Sequence, residues 1–438
     1  MTLNYFGTDG IRGRAYESPL SLSEVARWGQ AWGQVARSKG LASLVLGWDP
    51  RTSSEPMAQA FLQGLGDFQT IILGVVPTPA VAWLTQQTPG AWGTMLSASH
   101  NPPEDNGIKG FNGQGEKLEE EEEQAIEAAF ELAATPDSLF ECLTPEQSPV
   151  ERYLDHLGSV ALPDDFPIVA DCAHGATAPF AARVLRGAVT WLGCPADGER
   201  INVAVGSTHL DALRDAVITS GAELGIAFDG DGDRCLLLDS KGTLVDGDQM
   251  LWLLAQDRLD AGEPLPGVVG TVMTNGALEA ALSARGVAFV RTPVGDKFLL
   301  RELQTRGWDL ASEASGHLIQ KREGPSGDGL ATAIALLRAL LRRPKAERWS
   351  WRFKPWPLKL VNLKAKDRRA VQECAALSTT MKELEARHGG VGGSLRLVVR
   401  WSGTEPKLRL MAEAREPALL ASAMLALETA ARADLGMS

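Results

Sequence analysis

At 438 residues, the chain is longer than one hydrophobic core of about 100–200 residues accommodates, and its 44% hydrophobic and 22% charged side chains are ordinary for a globular protein. A formal net charge of −12 argues against nucleic acid or an anionic membrane as the main partner, while a small anionic ligand needs only a local cluster of Lys and Arg. No apolar run approaches the ~20 residues that span a bilayer, and Met1–Gly13 lacks the apolar stretch of a signal peptide, so a cytoplasmic location is expected.

Along the chain, a strand-like run, a polar loop and a helix-like run recur three times. The copies are Leu41–Phe61, Phe166–Leu185 and Gly267–Gly286. Short apolar or β-branched runs followed by amphipathic segments read as β-α units. Each copy continues into a second strand, in FQTIILGVVPTP, AVTWLGCP and VAFVRTPVG. A third strand then ends in a polar cluster, in GTMLSASHNP, LGIAFDGDGDR and WDLASEASGH. The fold class expected is α/β: three similar mixed-sheet domains, with their polar loops beyond the carboxyl ends of the strands, where open sheets bind ligands.

Between the first and second copies, the five glutamates Glu119–Glu123 read as the solvated first turn of a helix, where negative charge suits the dipole. After the third copy, Trp349–Lys359 reads as a linker. The tail then reads as a strand, Leu395–Arg400, a loop, and a helix over Pro417–Ala433, giving a smaller C-terminal α+β domain. The five cysteines, Cys142, Cys172, Cys194, Cys235 and Cys374, form no Cys-x-x-Cys pair and read as packing thiols.

Four loops could carry chemistry. In Asp229-Gly-Asp-Gly-Asp-Arg234, three alternating carboxylates with glycines between them can turn inward around one hard cation. An EF-hand fails on spacing, because its sixth position would be Arg234 and its twelfth Ser240. Mg²⁺ suits the loop better than Ca²⁺, since few protein ligands leave room for water and a phosphate oxygen. In Leu96-Ser-Ala-Ser-His-Asn-Pro102, followed by Asp105–Lys109, a serine hydroxyl exposed at a cleft beside a metal could accept a phosphoryl group. His100 directly follows Ser99 and no G-x-S-x-G elbow surrounds it, which argues against a hydrolase triad. Glu313-Ala-Ser-Gly-His317 offers acceptors and donors to a hydroxylated or aminated ring. Arg400-Trp-Ser-Gly-Thr-Glu-Pro406 with Arg409 offers guanidinium, hydroxyls and backbone N–H groups to a phosphate monoester.

Taken together and in this order, these segments resemble the α-D-phosphohexomutase superfamily, which includes the phosphoglucomutases, phosphomannomutases and phosphoglucosamine mutases. Phe6-Gly-Thr-Asp-Gly-Ile-Arg-Gly13 and Ser402–Pro406 resemble the phosphoglucosamine mutases within it. The resemblance implies interconversion of glucosamine 6-phosphate and glucosamine 1-phosphate, toward UDP-N-acetylglucosamine and bacterial wall synthesis. It implies domains at 1–148 (phosphoserine), 149–252 (metal), 253–350 (sugar) and 351–438 (phosphate), around one central cleft.

Carried over residue by residue, Ser99 is the phosphorylated serine, and Asp229, Asp231 and Asp233 bind Mg²⁺ together with it. Arg12 and Lys109 flank the serine, and Lys109 or His317 moves protons. His100, Arg234, Lys297, Glu313 and Ser315 contact substrate. Arg400, Ser402, Gly403, Thr404 and Arg409 grip the phosphate that is not reacting. Ser312 departs from the superfamily's pattern, which has glycine before this glutamate. A sugar bisphosphate serves as primer and intermediate. The expected partner is a small phosphorylated aminosugar, with a homodimer left open. The rival expectations are a phosphoglucomutase or phosphomannomutase with the same machinery, a non-catalytic phosphosugar-binding protein, and a phosphatase.

Overall fold

The computed structural model describes residues 3–134, 143–364, 369–390, 393–401 and 407–436. The chain divides into two compact units. One runs up to Thr271 and resumes over Val290–Trp351; the other joins Val272–Phe289 to the chain from Arg352 onward.

The threefold repeat is present in the strands and in how they are ordered. First strands Ser43–Trp48, Ile168–Asp171 and Gly267–Thr271 are buried along their whole length, as continuous apolar runs in a covered sheet should be. Helices Ser54–Leu65, Ala178–Val184 and Gly276–Ala284 follow them in the chain. Second strands are Thr70–Val75, Val189–Leu192 and Ala288–Thr292, and third strands are Ala91–Leu96, Leu224–Phe228 and Leu310–Ser312.

Sequence periodicity left out a fourth strand in every copy: Asp105–Phe111, Cys235–Asp239 and Leu318–Gln320. Each runs antiparallel to its third strand, and each sheet contains the order second-first-third-fourth. The Ser99, Asp229–Asp233 and Glu313–His317 loops are therefore the three equivalent turns between third and fourth strands.

The first sheet gains two more strands. Phe6–Gly7 and Gly10–Arg14 add to its edge, with Arg12 opposite Gly107 of the fourth strand. This N-terminal segment is held by Glu127, which accepts hydrogen bonds from the backbone N–H groups of Asn4, Tyr5 and Phe6 at 2.9, 2.7 and 2.9 Å. Glu127 belongs to the helix Glu120–Leu132, which the glutamate run begins. Glu123 in that first turn is buried, contrary to a fully solvated face.

In the other unit, strands Leu358–Lys364, Lys407–Ala414 and Leu395–Trp401 form an antiparallel sheet in that order. Leu408, Leu410, Ala412 and Ala414 alternate inward at the two-residue strand period and pack in one cluster with Leu377, Met424 and Leu427. These last three lie on helices Ala375–His388 and Pro417–Asp434. The molecule thus has three mixed α/β domains and a C-terminal antiparallel-sheet domain. Cys172, Cys235 and Cys374 are buried and Cys194 is half-buried; Cys142 lies outside the described residues.

Candidate active site

Three loops meet in the first unit. The Ser99 hydroxyl donates to Asp229 Oδ2 at 2.8 Å and lies 3.2 Å from His100 Nδ1. Ser99 is fully buried, against the expectation of an exposed hydroxyl, because its turn is pressed onto the aspartate loop. Its φ of +54° is a left-handed conformation that non-glycine residues seldom adopt. Ser97 points the other way: its Oγ donates to Asp49 Oδ2 at 2.6 Å and accepts from the Ser99 N–H at 2.8 Å, so it shapes the turn.

Asp229, Asp231 and Asp233 are buried, and one carboxylate oxygen from each lies within 4.8 Å of the others. Asp231 Oδ1 and Asp233 Oδ1 are buried without a hydrogen-bond partner. Orphaned carboxylate oxygens, packed this closely in a dry site, are the donor set a hard divalent cation requires. Burial and the charges of Asp233 and Asp231 push the Asp229 carboxyl well above its usual range. Asp233 moves the opposite way. Burial alone would raise it, but Lys109, His317 and Arg234 hold it well below.

The cations around this cluster are specific. Lys109, on the fourth strand opposite Met95, is 1% exposed; its ammonium sits 2.7 Å from Asp231 Oδ2, 3.2 Å from Asp9 and 3.6 Å from Asp233. Arg12 pairs with Asp9. The Arg234 N–H donates to Asp229 Oδ1 at 3.2 Å, and its guanidinium lies 3.7 Å from Asp233. Burial, with the nearby guanidiniums of Arg234 and Arg12, lowers His100 to about 4, so its imidazole is neutral at pH 7. His317 lies between Asp233 at 3.8 Å and Asp296 at 3.9 Å. Burial would lower its pKa, but those carboxylates and Glu313 raise it.

The Glu313–His317 loop is tied from below. Ser312, where the pattern has glycine, is buried and donates to the Gly247 carbonyl at 3.0 Å. A Cβ on Gly247 would lie 1.9 Å from the Glu313 carbonyl oxygen, so the two backbones touch. Glu313 Oε1 accepts from the Gly295 N–H at 3.0 Å, and the exposed Ser315 donates to Glu313 Oε2 at 3.3 Å. Asp246 and Asp248 stay outside the metal cluster; Asp246 caps the helix Gly247–Asp260 by accepting from Gln249 N–H. A cavity of about 140 Å³ opens beside these groups, lined by Lys109, Lys117, Asp233, Asp296, Lys297 and His317 among others.

Several of these residues carry no local motif. Thr78 donates to Asp231 Oδ2 at 2.6 Å from its hydroxyl and to the Asp231 carbonyl from its N–H. Lys117 bridges Asp9 and Asp296. Only Asp9 had a signal, the Gly-Thr-Asp-Gly string at the N-terminus.

Arg400 and Arg409 belong to the second unit. Arg400 and Arg409 face each other across the antiparallel pair Leu395–Trp401 and Lys407–Ala414. Like charges directly opposite on a strand pair cost stability. Ser402, Gly403 and Thr404 fall outside the described residues.

Four consecutive segments match the phosphoglucomutase/phosphomannomutase family models: alpha/beta/alpha domain I over residues 3–136, domain II over 151–242, domain III over 246–350 and the C-terminal domain over 360–429. The class is therefore that of the phosphohexomutases. A phosphoglucosamine mutase of Polaromonas naphthalenivorans is 40% identical over 95% of this chain and 96% of its own. A phosphoglucomutase/phosphomannomutase family protein of Burkholderia thailandensis shares the fold, at a TM-score of 0.79 and 23% identity over 99% of this chain and 98% of its own. So does the N-acetylphosphoglucosamine mutase of Aspergillus fumigatus, solved with GlcNAc-6P and magnesium, at a TM-score of 0.62 and 18% identity over 99% and 96%. The chain belongs to the phosphoglucosamine mutases of the phosphoglucomutase/phosphomannomutase family, and is an isomerase. Among the described residues, no helix is long and apolar enough to cross a membrane.

Proposed function

We propose that the chain interconverts glucosamine 6-phosphate and glucosamine 1-phosphate through phospho-Ser99 and a bisphosphorylated sugar, toward UDP-N-acetylglucosamine in the cytoplasm. The observation that carries this reading is the Ser99 hydroxyl, 2.8 Å from Asp229 in a buried three-aspartate cluster beside Lys109 and His317. Mg²⁺, held by Asp229, Asp231, Asp233 and Ser99, would supply positive charge to the transferring phosphoryl oxygens.

In the first half of the cycle, a sugar hydroxyl forms a bond to phosphorus as the bond from phosphorus to Ser99 Oγ breaks. The hydroxyl proton passes to His317, whose Nε2 is buried without a hydrogen-bond partner. Lys109 and Arg12 offset charge; Lys109, already within ion-pair reach of three carboxylates, is suited to that and not to proton transfer. After the bisphosphate turns over, the other phosphoryl group returns to Ser99 by the reverse step. Glu313 and Ser315 hold the ring, with His100, Arg234 and Lys297 near the phosphate. Arg400, Arg409, Ser402, Gly403 and Thr404 hold the phosphate that is not reacting. Neutral His100 suits hydrogen bonding to Ser99 more than charge neutralisation.

The test is incubation with glucosamine 6-phosphate, Mg²⁺ and a sugar-bisphosphate primer, with glucose and mannose phosphates in parallel and intact-mass mapping of the protein. Isomer formation, a phosphoryl adduct on Ser99 and a preference for the aminosugar are expected. A charge-assisted contact from Glu313 to an ammonium would make that preference about ten- to a hundredfold. Release of phosphate without isomer would indicate a phosphatase, and equal kcat/KM for all three sugars would remove the aminosugar assignment.

A further inference from the structure

The turn that carries Ser99 is clamped from two sides. From its own domain, Arg51 Nη2 donates to the carbonyl oxygens of Ser99 and Asn101, both at 2.9 Å. From the second domain, Asn202 Nδ2 donates to the same two carbonyls, at 2.9 and 3.0 Å. Arg51 is fixed by a fully buried pair with Asp49, which also accepts from Ser97 and Ser54.

Asn202 is fixed by a strained backbone. Six described non-glycine residues have positive φ; besides Tyr16 and Ser99 they are Ala173, His174, Asn202 and Ala204. The Asn202 N–H donates to the Ala173 carbonyl at 3.0 Å. The buried carboxylate of Asp171 braces this arrangement, accepting from the N–H groups of Ala173 at 2.9 Å and Gly206 at 2.7 Å. Such conformations persist only where the surroundings over-determine them, and they gather at functional sites.

Asn202 also touches the aspartate loop. A Cβ on Gly230, between Asp229 and Asp231, would lie 2.6 Å from the Ser99 carbonyl oxygen and 2.7 Å from Asn202 Nδ2. One amide thus contacts the backbone of the Ser99 turn and packs against the loop carrying the carboxylates.

We propose that Asn202 is a positioning residue that sets the Ser99 hydroxyl against the aspartate cluster, by locking the second domain's strained loop onto the two carbonyls that Arg51 also holds. The proposal rests on the reading of Ser99 as the phosphoryl carrier. Transfer demands close alignment, and a displacement of about 1 Å can cost on the order of a hundredfold in rate. Substrate does not need Asn202 in order to bind, so its effect belongs to kcat.

Two variants test this. Asn202→Asp keeps the shape but places an acceptor against two carbonyl oxygens. Asn202→Gly removes the side chain and relieves the positive φ, so backbone strain cannot account for any loss. For both, kcat is expected to fall about ten- to a hundredfold, with KM for the sugar phosphate within about threefold and Mg²⁺ affinity retained. Phospho-Ser99 hydrolysis per turnover is expected to rise in both as alignment with substrate is lost. Wild-type kcat in both variants would overturn the proposal. A parallel rise in KM, or loss of the folded state in both, would reduce Asn202 to a structural residue and overturn it as well. If the wild-type protein carries no phosphoryl group on Ser99 after turnover, the underlying reading fails and takes this proposal with it; a phosphorylated wild type with unimpaired variants defeats the proposal alone.

Discussion

Lys109→Met tests the charge balance of the site. The substitution keeps an unbranched apolar stem and deletes one ammonium that is 1% exposed and lies 2.7, 3.2 and 3.6 Å from the carboxylates of Asp231, Asp9 and Asp233. Removing one partner of a buried ion pair costs about 3–5 kcal/mol, since the remaining charge stays desolvated. The resulting fall in Tm should be on the order of 5 °C in metal-free buffer. A cation bound by Asp231 and Asp233 replaces part of the missing charge, and removal of the ammonium deepens the negative potential that attracts it. Saturating Mg²⁺ should therefore raise Tm more in Lys109→Met than in the wild type, whose own gain is about 2.7 kcal/mol at a hundredfold excess over Kd. Thermal unfolding of both proteins with EDTA and with Mg²⁺ is the measurement. An equal loss with and without metal would show that Lys109 and the cation do not share the same carboxylates, and the metal reading of the cluster would fall with it.

Two further outcomes follow from the same electrostatics. Asp231→Asn should weaken Mg²⁺ binding by roughly tenfold or more by calorimetry, and EDTA should abolish turnover until Mg²⁺ is restored; unchanged affinity would remove Asp231 from the ligand set. Glu123, with Oε2 buried and unpartnered, is pushed up to about 7 by burial, with Glu120 and Glu127 adding to the rise and Lys297 and Lys117 opposing it. A carboxyl whose folded pKa is raised holds its proton longer in the folded state, so stability falls as pH rises from the unfolded value to about 7, then levels. Glu123→Gln should gain about 1–2 kcal/mol at pH 8, after allowance for solvent screening, and nothing near pH 4; equal Tm at pH 8 would refute the assignment.

What could be read from sequence divides along a physical line. Period and composition located the three strand-loop-helix copies, because a covered strand such as Ser43–Trp48 is a continuous apolar run bounded by loop residues. The fourth strand of the first copy escaped because its local signal is weak. Asp105–Phe111 contains Asp, Asn, two glycines and a lysine, all poor strand formers, and only pairing with Ala91–Leu96 and Gly10–Arg14 makes it extended. At the site, residues on motif loops were legible. Thr78, Lys117, Asp296 and Asn202 reach it through long-range packing, which leaves no spacing in the chain. Glu123 was misread for the same reason, since nothing local distinguishes a glutamate that tertiary packing will bury from its solvated neighbours.

The shared topology accounts for the placement of the chemistry. In each copy a third strand ends at the carboxyl edge of its sheet, and an antiparallel fourth strand must start back from the same edge, so the intervening turn has nowhere to lie except beyond it. Three such turns supply complementary groups: a hydroxyl beside a neutral imidazole, three carboxylates, and a glutamate-histidine pair. None of the turns is balanced alone. The carboxylates borrow positive charge from Lys109 on the first fourth strand, and Asp233 and Asp296 flank His317, so a proton taken up there is stabilised. Arg12 enters from the added edge strand and Lys117 from the segment beyond the first fourth strand, both paired to Asp9. The cavity lining interleaves both signs, with Lys109, Lys117 and Lys297 set among Asp233 and Asp296, so an anion would meet ammonium groups that carboxylates already hold in place. The same interdependence explains why no single loop motif identifies the chemistry: each turn's electrostatic character depends on residues that other domains bring to it as well as on its own.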